Sequence, residues 1–133
     1  MKSNQQLYAE VAYKAISREK QEDKTLEGKG YGQLCHRFPS LVLSNGLRLA
    51  VAFFEAKGKK DPKHPCTRYL NDLKLALDIK DWNSVLNTPT STNRDYLYAS
   101  RQVLSASVWF KRYAEGILKV EQAESDELEV GKS

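Results

Sequence analysis

The sequence lacks the features that membrane-spanning and exported proteins usually require. Its apolar runs without a charged residue, such as residues 41–47, are far shorter than the ~20 residues that cross a bilayer. The first ten residues, MKSNQQLYAE, contain no apolar signal-peptide core. Two cysteines, Cys35 and Cys66, are too few for a disulfide framework and suit a reducing compartment. We therefore expect a cytoplasmic protein with no membrane segment.

Motifs for catalysis and metal binding are also missing. Cys35-His36 and His64-Pro65-Cys66 could together supply four zinc ligands, but no C-x(2–4)-C or H-x(3–5)-H pair is present. Neighbouring residues on a helix point about 100° apart, so we expect a buried Cys35, a surface or boundary His36 and a loop His64. No phosphate-binding G-x-x-x-x-G-K-[ST] loop and no marked partner for a Cys–His nucleophile pair appear. We expect no enzyme, metal, cofactor or small-molecule substrate.

Charge is distributed unevenly along the chain. Residues 121–133, EQAESDELEVGKS, carry five carboxylates against one lysine, a net charge of −4. Residues 1–120 carry 20 basic and 12 acidic side chains, a net charge of +8. A basic body favours an anionic partner such as nucleic acid, although many basic helical domains bind none. We expect one helical domain over residues 1–120 and an acidic, disordered tail over residues 121–133.

Apolar residues recur at helical spacing through most of the chain, and no segment shows the alternation of a strand. The spacing predicts four long helices, over residues 6–21, 39–57, 66–79 and 94–120. Residues 81–86 predict a short helix or turn that inserts Trp82 into the core. The fold class expected is therefore all-α, a compact bundle of five or six helices.

Glycine and proline set the expected helix boundaries. Three glycines in residues 27–32 predict a loop, followed by a short helix that reaches about residue 38. Pro39 is suited to the first position of the next helix, and Gly58 to its left-handed C-terminal cap. Thr92, three residues before Asp95, resembles a capping box.

The Asn45-Gly46 pair interrupts an apolar run and needs a physical reason. A glycine inside a helix costs about 1 kcal/mol relative to alanine, and Asn-Gly is also a turn signal. Either the helix breaks here, or another element packs closely against the glycine. The apolar residues on both sides keep one helical phase, which favours a continuous helix with close packing.

Basic residues form the candidate binding set. Arg94, Arg101 and Arg112 are separated by 7 and 11 residues, which places them on one helical face, and Lys111 is adjacent. Further positive charge comes from Arg37, Arg48 and the loop lysines Lys57, Lys59, Lys60 and Lys63. Such side chains can follow a phosphate backbone without reading bases. A basic stripe can equally be the solvated face of a helix.

Two blocks of sequence form a recognisable pattern. The first block comprises Tyr31, Phe38-Pro39, Asn45-Gly46-Leu47, Ala52-Phe53-Phe54 and Lys57-Gly58. The second comprises Tyr98, Ala106 and Trp109 to Glu115. Together they resemble the small all-helical subunit of the type III-B CRISPR (Cmr) RNA-guided effector complex. The resemblance extends over roughly residues 5–120. The acidic tail and the loop KGKKDPKHP fall outside it.

The resemblance implies a non-catalytic protein that assembles with other Cmr subunits and with further copies of itself, beside guide RNA and target RNA. By position it implies RNA-facing roles for Lys57, Lys111 and Arg112. It implies packing roles for Tyr31, Pro39, Gly46 and Trp109. Charge alone adds four more RNA candidates, Arg37, Arg48, Arg94 and Arg101. RNA-guided complexes leave sequence reading to base pairing and require charge and shape from the protein.

Two alternatives stay open at this point. The small subunit of the sister type III-A (Csm) complex is also helical and basic, although the Asn-Gly-Leu and Lys-Arg blocks favour the Cmr version. A free-standing helical DNA-binding regulator would need a helix–turn–helix with a base-reading second helix. The sequence offers no helix pair joined by the required turn of three to four residues.

Overall fold

The computed structural model describes residues 3–22, 26–86 and 93–120, and every regular element in these ranges is helical. The elements are α1 (Asn4–Glu22), α2 (Leu26–Asn45), α3 (Leu47–Gly58), α4 (Pro65–Leu77), α5 (Asn83–Leu86), α6 (Asn93–Tyr113) and a π-helical turn (Ala114–Leu118). The predicted all-α bundle of five or six helices is confirmed. Within the described ranges, no helix is both long and apolar enough to cross a bilayer. The expected capping residue Thr92 and the acidic tail lie outside these ranges.

Four aromatic rings form the centre of the bundle, one each from α2, α3, α4 and α6. The ring centroid of Tyr69 lies 5.4 Å from that of Phe38, 5.9 Å from Phe54 and 5.4 Å from Phe110. All four side chains are fully buried. The pairs with Phe38 and Phe110 are edge-to-face, and such pairs add roughly 0.5–1.5 kcal/mol to the burial itself. Trp82, just before α5, is also buried, as the sequence predicted.

A buried ion network joins α1, α2 and α4. The Arg18 guanidinium donates to both carboxylate oxygens of Asp72, at 3.1 and 2.8 Å, and to Glu19. Arg68 donates to both oxygens of Glu19, at 3.0 and 2.7 Å. The Tyr31 hydroxyl donates to Asp72. Glu19 and Asp72 are almost fully buried, so these donors replace the water that the carboxylates lose on folding.

Two members of the network, Tyr31 and Arg18, have raised pKa values. The Tyr31 ring lies 5.8 Å from the Arg18 guanidinium and 6.0 Å from that of Arg68. Burial, and then the charge of Asp72, raises the pKa of Tyr31 well above its ordinary value. The hydrogen bonds from Arg18 to Asp72 raise the pKa of Arg18 further. At neutral pH the phenol is therefore neutral and the guanidinium charged.

The helix predicted to run through Asn45-Gly46 is in fact broken there. Gly46 has φ of 88° and ψ of 158°, a conformation that only glycine adopts at low cost, and it precedes the first turn of α3. The backbone hydrogen bonds nevertheless continue, because Gly46 N–H donates to Val42 and Ala50 N–H donates to Gly46. The apolar phase was preserved across the break, which is why the sequence favoured a continuous helix.

Two other boundary predictions around α2 are wrong. Residues 27–32 are helical rather than a loop, and Pro39 lies inside α2 instead of opening a helix. The reason in both cases is tertiary packing. A single buried face runs along α2 on both sides of the proline, through Tyr31, Cys35, Phe38 and Val42. Burial of that face outweighs the local cost of glycine and proline.

The ends of α3 and α6 also differ from the prediction. The left-handed cap of α3 is Lys59, with φ of 49°, rather than Gly58. The absence of a side chain at Gly58 allows α3 and α4 to approach closely, because an added Cβ would lie 2.3 Å from Thr67 Oγ1. The last α-helix ends at Tyr113 and continues as a π-helical turn, not as α-helix to Val120.

His36 is fully buried and not at the surface or boundary. Its Nε2–H donates to the Val120 carbonyl over 2.8 Å, which fixes the end of the described chain onto α2. Gly32 makes room for this segment, because an added Cβ there would lie 2.8 Å from Val120 Cγ2. Cys35 is buried, as predicted.

Replacing Gly46 by alanine should lower the free energy of unfolding by about 1–3 kcal/mol, because the backbone conformation is strained for any residue with a Cβ. Urea unfolding measures the change. Gly30→Ala is the matched control, since that helical glycine has open space around it and should gain up to about 1 kcal/mol. Equal stabilities for Gly46→Ala and the parent would contradict the strain.

Tyr31→Phe and Tyr69→Phe remove the same atom from two fully buried rings, with opposite expected results. Tyr31→Phe loses a hydrogen bond to a carboxylate and should cost about 1.5–3 kcal/mol. Tyr69→Phe removes a buried hydroxyl that has no partner among the described residues, so it should be neutral or stabilising. Chemical denaturation of both variants tests the pair, and a larger loss at Tyr69 would overturn the network assignment.

Candidate nucleic-acid interface

The structure places three of the predicted arginines in one line on the outer face of α6. Arg94, Arg101 and Arg112 are all exposed. Because a helix rises 1.5 Å per residue, the line from Arg94 to Arg112 is ~27 Å long. The sequence of α6 contains a single carboxylate, Asp95, in its first turn. This α6 arginine line is therefore a continuous positive stripe.

Apolar side chains share the outer face of α6 with the arginines. Leu97, Tyr98 and Val108 are 56%, 61% and 42% exposed. On a 3.6-residue helix these positions lie within about 60° of the arginine line. Sequence reasoning missed this feature because it treated the face only as charged. A surface that combines arginine with exposed apolar groups can bind a phosphate backbone or another protein.

The Lys111-Arg112 pair at the end of α6 has two different environments. Lys111 is half-buried, whereas Arg112 is exposed and lies over the Trp109 ring, 5.2 Å from its centroid. The Trp109 Nε1–H donates to Gln5 Oε1 over 2.8 Å. The ring of Tyr113 packs against Tyr13 of α1, with centroids 5.5 Å apart. Trp109 therefore helps to pack α6 against α1, which is the packing role predicted for it, and Arg112 lies over its ring.

A second basic cluster forms where α2 meets α3. The Arg37 guanidinium and the Lys57 ammonium lie 5.1 and 5.3 Å from the centroid of the same ring, that of Phe53. Phe53 is 39% exposed, so each cation–π contact contributes roughly 0.5–1 kcal/mol. The sequence could have indicated this contact, because Phe53 and Lys57 are four residues apart and therefore share one helical face. This Phe53 cluster places a flat aromatic edge between two cations.

Arg48 has a different environment from the other candidates. Its guanidinium donates to the Leu86 carbonyl over 2.7 Å and lies 4.8 Å from the Tyr96 ring centroid. The Arg48 backbone N–H also donates to the Tyr96 hydroxyl, at 3.0 Å. Arg48 therefore joins the start of α3 to α5 and α6, which gives it a structural role beside any contact with a ligand.

The cysteines and histidines serve the fold. His64 lies in the loop before α4, and its Nδ1 accepts the Cys66 backbone N–H at the start of that helix. Burial raises the pKa of both thiols, for Cys35 with the added effect of Asp72, so both are protonated at neutral pH. Across residues 3–22, 26–86 and 93–120, no three His, Cys, Asp or Glu side chains meet in a metal-binding arrangement.

Comparison with known proteins connects this architecture to one family. A family model described as CRISPR-associated protein (Cas_Cmr5) matches residues 4–117. The CRISPR system Cmr subunit Cmr5 of Thermus thermophilus is 31% identical over 121 residues, which cover 90% of this chain and 99% of that protein. A crystal structure of a CRISPR-associated Cmr5 family protein from the same organism matches with a TM-score of 0.73 and 28% identity, covering 88% and 98% of the two chains.

The different environments of Arg48 and Arg101 predict different effects on stability. Arg48→Gln should lower the free energy of unfolding by about 1–2 kcal/mol, because the Leu86 carbonyl loses its donor. Arg101→Gln removes the same charge from an exposed position and should change stability by less than about 0.5 kcal/mol. Thermal unfolding of both variants is the measurement, and similar losses would contradict the structural role of Arg48.

Proposed function

Because the chain belongs to the Cas_Cmr5 family of CRISPR-associated proteins, we propose that it is a small, non-catalytic subunit of a type III-B Cmr ribonucleoprotein complex. Its partners are then other Cmr subunits, further copies of itself, and the guide RNA–target RNA duplex. The sister type III-A assignment receives no support, because the family model and the relatives are of the Cmr kind.

The observation that carries RNA contact is the α6 arginine line. Its three arginines are exposed, and Asp95 is the one carboxylate in the sequence of α6. Arginine forms bidentate hydrogen bonds with phosphate, so a linear array suits a nucleic-acid backbone. Phosphate contacts of this kind carry no sequence information, as expected where base pairing with the guide supplies the specificity.

Exposed apolar groups support the assembly role. Leu97 and Val108 lie beside the arginine line, and Leu49 and Phe53 lie one turn apart on the outer side of α3. Surfaces of this kind are typical of protein contacts. We therefore assign two contact surfaces. The outer face of α6 contacts both RNA and protein, and the Phe53 cluster, with Arg37 and Lys57, is a second contact surface.

Neutralising the end of the arginine line should weaken RNA binding by the assembled complex. For Lys111→Gln with Arg112→Gln we expect target-RNA affinity to fall about tenfold near physiological salt. The slope of log affinity against log salt should become shallower by about one to two, because up to two phosphate contacts are lost. Filter binding of the reconstituted complex across a salt series measures both quantities.

Lys14→Gln with Lys20→Gln is the matched control, since it removes two exposed charges from another helix, α1. Circular dichroism of the isolated subunit checks that each variant is folded. Parent-like affinity and salt slope in the Lys111/Arg112 variant would refute the RNA-facing assignment. Failure of that folded variant to enter the complex would reassign the pair to a protein contact.

A further inference from the structure

A cleft lies between α3 and α4, next to the buried Trp82. Its volume is about 360 Å³, and its lining comprises Glu55, Lys60, Thr67, Leu70, Asn71, Lys74 and Trp82. Leu70 and Trp82 are almost fully buried and supply an apolar floor. Lys60 is exposed and Lys74 half-buried at the rim, and Thr67 and Asn71 add hydrogen-bonding groups. The cleft therefore combines an apolar floor with a cationic rim.

The positive charge of this rim is not neutralised within the bundle. Neither Lys60 nor Lys74 forms an ion pair with a carboxylate of the described residues. The adjoining segment, residues 57–65, which joins the end of α3 to the start of α4, has four lysines and a single carboxylate, Asp61. Glu55 is the one acidic side chain in the lining. The ligand chemistry that fits is an acidic peptide with an apolar side chain between its carboxylates.

The chain itself contains such a peptide. Residues 126–130 read Asp-Glu-Leu-Glu-Val, with acidic and apolar side chains interleaved, in a tail of net charge −4. We propose that the acidic C-terminal tail docks in this cleft of its own chain. Leu128 then covers Leu70 and Trp82, and the carboxylates of Glu127 and Glu129 pair with the ammonium groups of the rim. The tail lies beyond residue 117, where the family match ends.

The tail follows a fixed point of the bundle. Val120 is fully buried, and its carbonyl accepts the His36 hydrogen bond. Residues 121–128 can extend over ~26 Å. A domain of this size has a radius of gyration of ~14 Å, so the extended segment is long enough to cross part of its surface.

Tethering decides between the chain's own tail and that of a second copy. A short flexible linker gives the attached peptide an effective concentration in the millimolar range, which exceeds that of a separate molecule in ordinary solutions. Docking in this way covers Lys60 and Lys74, so an anionic partner that needs these lysines must first displace the tail. The chain thereby holds a built-in competitor for its basic loop.

Paramagnetic NMR of the full chain tests the proposal. A nitroxide is attached to Gly131→Cys, with the buried Cys35 and Cys66 left in place. The amide signals of cleft residues, such as Thr67, Asn71 and Lys74, should lose more than half their intensity. The change Glu127→Gln, Leu128→Ser, Glu129→Gln should restore that intensity. The matched control, Glu121→Gln with Glu124→Gln, removes charge near the anchor and should leave the loss in place.

A second pair of variants tests the cleft side. Lys60→Gln with Lys74→Gln should abolish the intensity loss, and Lys14→Gln with Lys20→Gln should not. In a mixture, nitroxide-bearing unlabelled protein is added to ¹⁵N-labelled protein without nitroxide. Intensity loss at the cleft in this mixture would assign the site to the tail of a second copy and overturn the proposal. Uniform loss over the whole surface, or none at the cleft, would overturn it as well.

Discussion

The buried carboxylates of Glu19 and Asp72 are the constraint on which the rest of the structure depends. A carboxylate removed from water loses several kcal/mol unless charged donors surround it, so Arg18, Arg68 and Tyr31 must meet both groups in good geometry. These five side chains come from α1, α2 and α4, and their hydrogen bonds set how those helices lie. Apolar packing alone would tolerate small sliding of one helix along another, whereas bidentate pairs do not.

The network also determines what the surface can present. Arg68 donates to the Lys63 carbonyl as well as to Glu19, so the basic loop between α3 and α4 is tied to the buried charges. His36, one turn along α2 from Gly32, holds the Val120 carbonyl, so the last residue that the structure describes is equally fixed. The basic loop is thus held by α1 and α4, and the end of the described chain is held by α2.

Helical periodicity was sufficient for the fold class, because apolar residues at spacings of three and four specify helices whatever their order in space. It failed where local and tertiary preferences oppose each other. Strong helix-breaking signals occur at Gly46, at Pro39 and at the glycines that precede Gly32. Whether a helix continues through such a signal depends on what packs against it. At Gly46 the local signal prevailed, and at Pro39 the buried face of α2 did.

The candidate site was predictable only where spacing along one helix determines position. The arginine line of α6 follows from intervals of 7 and 11 residues, but nothing in the sequence distinguishes Arg101 from Arg18 or Arg68. All are single cations on helices, and their fates differ because two of them face buried carboxylates on other elements. Net charge therefore overstates the binding surface of this protein. Part of the positive charge that suggested an RNA partner is used to fold the domain, and the exposed arginines of α6 are among the cations that stay outside the buried network.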